Sequence, residues 1–152
     1  MKKTTVPIRL LRLNDLGYHF VFRIKINGKQ ARMLIDTGAS NTVFDKSRIA
    51  AFLKEGELTS YNKLSTGLGT NSMETMATLI DKLELGMLTI RSYPAMILDL
   101  SHVNISYAGM NLHPIDGVLG GDILKKHRAV IDCGKKTMTL WLPVARKKKK
   151  KS

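Results

Sequence analysis

The residues whose types and spacing are best suited to chemistry are Asp36, Thr37 and Gly38, which follow the mostly apolar run Ala31, Arg32, Met33, Leu34 and Ile35. The run reads as a buried strand, and the triplet reads as the turn that ends it. A carboxylate is thereby delivered at a strand end. Gly38 has no side chain, so backbone, water or a partner loop can approach the acid closely. The Thr37 hydroxyl can both donate and accept a hydrogen bond. Such an acid can act as a general acid or base, whereas an ordinary turn uses the same residue types for local hydrogen bonding. Only the context separates these two readings.

That context is the later segment Asp116, Gly117, Val118, Leu119, Gly120, Gly121, Asp122, Ile123 and Leu124. Two apolar residues, paired glycines and an acid followed by more apolar residues suggest a strand, a sharp turn and a helix capped by Asp122. With the upstream triplet, the pattern resembles the retropepsin-like aspartic proteases, the single-lobe relatives of pepsin. In that family an Asp-Thr-Gly or Asp-Ser-Gly triplet is followed downstream by two hydrophobic residues and Gly, then a short helix. Val118, Leu119 and Gly120 match that element, with Asp122 just beyond; cellular members often read ILGxDxL, and this chain reads VLGGDIL. Residues 128–132 resemble the strand that follows the helix. The resemblance spans residues 18–142.

It implies a mainly β, single-lobe acid-protease barrel with one or two short helices, and a peptide or protein substrate. Aspartic proteases hold two carboxyl groups so close that both cannot ionise; the pair shares a proton and acts on water and the scissile carbonyl. Asp36 alone cannot do this. Asp132, in Val130, Ile131, Asp132, Cys133, Gly134, repeats the order apolar, apolar, Asp, small, Gly. Too little chain follows it for a second lobe, so it reads as a strand-ending turn residue. The remaining solution is a twofold homodimer in which Asp36 meets Asp36. The resemblance then implies that Thr37 hydrogen-bonds across the axis, with Gly38 supporting the site and Ala39 contacting substrate. No cofactor or metal is required.

A lid is expected over residues 65–72, a small-residue stretch with Gly67, Leu68 and Gly69 at its tip, in the position where the family carries its flap. A surface loop is the other reading of that stretch. Two further functions stay open: a noncatalytic peptide-binding or dimerisation module of the same fold, and nucleic-acid binding driven by the basic tail.

Several elements must position these residues. Residues 18–26 alternate in part, and Asn27-Gly28 signals a hairpin leading into the strand that ends at Asp36. A short helix or turn is expected over 45–53, with Asp45 as cap and Ile49, Phe52 and Leu53 at helical spacing. Residues 76–100 read as strands broken at Gly86 and near Pro94, and 101–115 as a connecting loop. The short helix runs to about His127, with final strands through Leu142. The segments 4–13 and 137–142 are candidate dimer strands by the resemblance.

With 152 residues, 43% of them hydrophobic, the chain suits one folded domain, expected over 1–144. Arg146 and the five lysines of 147–151 supply six of the +13 net charges with no acid among them, leaving +7 on the remainder. The segment 145–152 therefore reads as a separate, self-repelling tail open to nonspecific anionic partners. A solvated solubility tail is the alternative. One cysteine, Cys133, excludes an internal disulfide, and His19, His102, His113 and His127 lack metal-ligand spacing. Early arginines interrupt any signal-peptide core and no window reaches transmembrane length, so a cytoplasmic location is expected.

Overall fold

The computed structural model describes residues 2–54, 59–61 and 75–144. Eleven strands carry the fold: β1 (Lys3–Pro7), β2 (Arg9–Arg12), β3 (Tyr18–Ile26), β4 (Lys29–Ile35), β5 (Val43–Asp45), β6 (Thr59–Tyr61), β7 (Thr75–Leu85), β8 (Leu88–Leu98), β9 (Gly117–Leu119), β10 (Val130–Asp132) and β11 (Thr137–Trp141). Among the described residues two α-helices interrupt them, α1 (Ser101–Gly109) and α2 (Gly121–Lys126). The expectation of a mainly β chain with few short helices holds.

The larger sheet runs β2-β3-β4-β9-β5-β8-β7-β6, and a further pairing of β3 with β7 joins its far parts. Strands β3, β4, β9, β5, β8 and β7 thus form a closed ring, with β2 and β6 attached outside it. Closure removes the exposed edges that an open sheet leaves unpaired. Asn27 helps seal the ring: its N–H donates to the Lys82 carbonyl, and its side-chain oxygen accepts from the Lys82 N–H at 3.0 Å. A smaller sheet, β1-β11-β10, packs Val6, Met138 and Leu140 into the main core cluster. The segments expected as dimer strands pair here within one chain, Thr4 opposite Leu140 and Val6 opposite Met138.

The hairpin of β3 and β4 forms as its turn residues predict, with Asn27 and Gly28 both at positive φ (50° and 84°), as a two-residue turn of the favoured twist requires. From there the register follows without slip, Ile26 opposite Lys29 through Phe20 opposite Ile35. One face of this hairpin sends Phe22, Ile24, Ile26 and Met33 into the ring's interior with Phe44, Ile80, Leu83 and Leu119. The other sends Val21 and Leu34 into an outer cluster with Leu11, Val118, Ile115 and Tyr107 of α1. Each such buried side chain contributes about 1.5–3 kcal/mol. All three residues of β9 are buried, with Val118 in the outer cluster and Leu119 in the inner one.

Three expectations change. Residues 101–115 are not all loop, because 101–109 are helical. Leu100, Val103, Tyr107 and Met110 recur at helical spacing and pack into the outer cluster, while Ile105 between them is exposed. Tyr107 is buried, and the Asn104 side chain exchanges hydrogen bonds with the backbone of Ile115. Asp45 does not cap a helix over 45–53. It ends β5 fully buried, accepting from Ser47 Oγ (2.6 Å) and from the Leu100 N–H (2.8 Å), and only Ile49–Phe52 form a 3-10 turn. Finally, β8 continues through Pro94. It pairs with β5 only from Met96 onward, so a missing N–H at Pro94 is tolerated on the open side.

Candidate active site

Asp36 emerges where β4 ends, and β9 lies parallel beside that end with Leu34 level with Val118 and Ile35 level with Leu119. The Asp36 N–H donates to the Leu119 carbonyl at 3.0 Å, extending the strand pairing to the acid itself. The chain then turns. The Ala39 N–H returns to the Asp36 carbonyl, and the Gly38 N–H donates to Asp36 Oδ1 at 2.9 Å. Asp36, Thr37 and Gly38 are exposed and Ala39 is half-buried, so the carboxylate is presented at the surface. The Thr37 hydroxyl makes no hydrogen bond among the described residues.

The second motif fastens this turn. The Gly121 N–H donates to the Ala39 carbonyl at 2.6 Å and the Asp122 N–H to the Ser40 carbonyl at 3.0 Å. Asp122 Oδ1 accepts from both the backbone N–H and the hydroxyl of Thr42, at 2.9 and 2.7 Å. The same Thr42 oxygen accepts from the Gly120 N–H at 2.9 Å. Tyr93, reaching in from β8, donates its hydroxyl to Asp122 Oδ2. Glycine is required at 120 because a Cβ there would sit 2.5 Å from the Asn41 carbonyl carbon and oxygen.

Asp122 therefore does not cap α2 as its position suggests. Gly120 occupies the cap without a side-chain bond, and the Asp122 carboxylate ties α2 to the Asp36 loop and to β8. Burial pushes the Asp122 carboxyl up, but hydrogen bonds from Tyr93, Thr42 and the Ile123 N–H outweigh it and hold it below the ordinary carboxylate range. The Tyr93 phenol is driven the other way, above its usual range, by burial and then by its bond to the Asp122 carboxylate.

His19 is the neighbour that composition did not single out. The β3–β4 register, continued one step past Phe20–Ile35, puts His19 opposite Asp36. Its Nδ1 lies 2.6 Å from the Tyr107 hydroxyl. Burial lowers the imidazole pKa, and the Asp36 charge partly restores it. Thr42 and Tyr93 were equally silent, since each acquires its role through a partner remote in sequence. The His19 position was within reach of the sequence, because a two-residue turn at 27–28 fixes which residues oppose one another.

The remaining candidates fall apart from this cluster. Asp132 ends β10 in a turn and accepts from the Lys135 N–H at 2.9 Å. Asp116 is buried and holds Arg48 Nε and the Arg32 N–H, at 2.7 and 2.8 Å. Gly67, Leu68 and Gly69 lie outside the described residues, as does the basic tail; the flanking strands β6 and β7 pair antiparallel, Tyr61 opposite Thr75.

Among solved structures the chain resembles a retropepsin-like aspartic protease from Rickettsia conorii, with TM-score 0.56 and 17% identity over 91% of this chain and 89% of the other. It also resembles the retroviral protease-like domain of Ddi1 from Leishmania major, with TM-score 0.52 and 17% identity over 78% and 84% of the two chains. At that identity the likeness establishes the fold. A search of curated proteins gives no match. The family described as aspartyl protease matches residues 22–123, a span that holds both the Asp36 turn and the segment fastening it. With two thirds of its length so matched and a retropepsin-like fold around the match, the chain belongs to the aspartyl protease family.

Proposed function

We propose that this chain is an aspartic endopeptidase whose catalytic pair is Asp36 from each of two identical copies meeting on a twofold axis. The observation that carries the reading is the surface presentation of Asp36 on a turn clamped at Leu119, Gly121 and Asp122. The buried carboxylates Asp45 and Asp116 and the half-buried Asp122 have their oxygens occupied by internal donors, so a second reactive acid is sought in another copy. The unpartnered Thr37 hydroxyl supports the same geometry, being free to bond across the axis.

In this mechanism one Asp36 is charged and the other protonated. The charged carboxylate takes a proton from water as the water oxygen attacks the peptide carbonyl carbon. The protonated Asp36 of the second copy hydrogen-bonds the developing oxyanion. The tetrahedral intermediate collapses with cleavage of the C–N bond, a carboxyl proton passes to the leaving amine, and the pair is left sharing one proton. Two coupled acids give a bell-shaped pH profile. Ala39, on the same turn, contacts substrate. A cytoplasmic setting accompanies this reading.

The test is peptide-library cleavage across pH by purified wild type and Asp36→Asn, with oligomeric state measured alongside. Loss of cleavage in the variant supports the assignment. Equal cleavage by both removes Asp36 from catalysis, and peptide binding without turnover in wild type favours a noncatalytic module.

A further inference from the structure

Away from the candidate active site, three guanidinium groups gather on the outer face of β2, β3 and β4. Arg23 stands directly opposite Arg32, and Arg9 stands opposite Val21, two residues from Arg23 on the same face of β3. Like charges in directly opposed positions oppose sheet formation. Neither Arg9 nor Arg23 forms an ion pair or hydrogen bond among the described residues. The Nε–H of Arg32 is buried with no acceptor. Buried donors are nearly always satisfied, so an unmet one flanked by unpaired cations marks a place where an acceptor belongs.

The other groups facing Arg32 do not fill that role. Asp116 is near enough to be felt, but Oδ1 is held by Arg48 Nε and Oδ2 by the backbone N–H of Arg32. Tyr107 gives its hydroxyl to the contact with His19. The three arginines line a single hollow whose apolar wall includes Val6, Ile8 and Val21.

We propose that Arg9, Arg23 and Arg32 form a binding site for the phosphate monoester group of a small ligand. The guanidinium fork matches phosphate oxygens two at a time. A terminal phosphate brings close to two negative charges and three free oxygens to three cations, whereas a carboxylate brings one charge and two oxygens. Arg32 lies four residues before Asp36 on β4, about 13 Å along the strand. The cluster of Val21, Leu34 and Tyr107 packs between the two. The site therefore stands apart from proteolysis, and its test does not use it.

Inorganic phosphate is titrated into the full chain while the Arg32 Nε–H resonance is followed by NMR, which separates this site from any binding to the lysine tail. A saturable shift is expected. Arg9→Ala and Arg23→Ala, both at exposed positions, should each weaken it about tenfold, the size of one lost charge-assisted bond. Arg32→Lys, which keeps the charge and removes the fork, should weaken calorimetric binding to a similar degree. Unchanged backbone amide resonances outside β2–β4 establish that each variant folds. The proposal fails if the wild-type resonance does not saturate with phosphate, or if Arg9→Ala and Arg23→Ala bind as wild type does. It fails equally if an oligodeoxynucleotide without terminal phosphates moves the resonance where phosphate does not.

Discussion

The chain writes nearly the same short phrase twice, Leu34-Ile35-Asp36-Thr37-Gly38 and Val130-Ile131-Asp132-Cys133-Gly134, and the fold treats the two copies differently. Locally they match. Each Asp ends a strand and accepts a backbone N–H through Oδ1, from Gly38 in one and Lys135 in the other. The difference lies in what surrounds them. Asp132 joins β10 to β11 in a plain hairpin turn. Asp36 sits against a parallel strand and a helix start that arrive from some eighty residues away and hold its loop at Leu119, Gly121 and Asp122. A strand-ending acid becomes a candidate catalytic group when a second segment fixes its position, since general acid–base chemistry demands placement as well as a carboxyl.

The sharpest way to break the comparison is to neutralise each acid. Asp36→Asn should lower kcat/KM for peptide cleavage by at least about a hundredfold, while Asp132→Asn should leave it near wild type. Equal losses would put the two turns on the same footing.

Glycine substitution probes the surroundings. A Cβ at Gly120 meets Asn41 backbone atoms at 2.5 Å, whereas one at Gly134 meets only Asp132 Oδ1 at 3.4 Å. Gly120→Ala should therefore destabilise by about 1–3 kcal/mol or more, and Gly134→Ala by no more than about 0.5 kcal/mol. Urea denaturation measures both.

The Asp122 clasp supplies a smaller, pH-dependent effect. Its folded pKa lies below the unfolded value near 4, so its contribution is complete above that value and is lost as pH falls through the lower folded one. Asp122→Asn should flatten the decline in melting temperature below about pH 4. A variant as acid-sensitive as wild type would show the clasp to be energetically idle. The smallest effect concerns His19. Because the Asp36 charge raises its otherwise lowered pKa, Asp36→Asn should move the His19 NMR titration further down, and Asp132→Asn should leave it in place.

Much of this arrangement could be read before folding. Asn27-Gly28 fixed a hairpin and its register, and the two Gly-containing motifs marked the turn and the segment that meets it. What stayed hidden depended on partners far along the chain. Asp45 and Asp122 both look like helix caps, because acids near helix starts usually are; their carboxylates instead join separate elements. α1 carries only a narrow apolar stripe, Val103 and Tyr107, obscured by the exposed Ile105, and it is anchored where Tyr107 and Asn104 find partners on β3 and before β9. Ser92, at φ 51°, interrupts the β7–β8 ladder beside Asp81, and no local signal announces it.

The parallel pairing of Leu34 with Val118 also bears on when the site can exist during biosynthesis. Among the described residues, every backbone bond that links the Asp36 loop to the rest of the fold comes from residues 119–122, so a nascent chain holding only its first hundred residues has the acid without its frame. Contacts so distant in sequence form late and slowly. A growing polypeptide thus carries an unframed carboxylate until residues 119–122 have been made, and the frame arrives with that one segment.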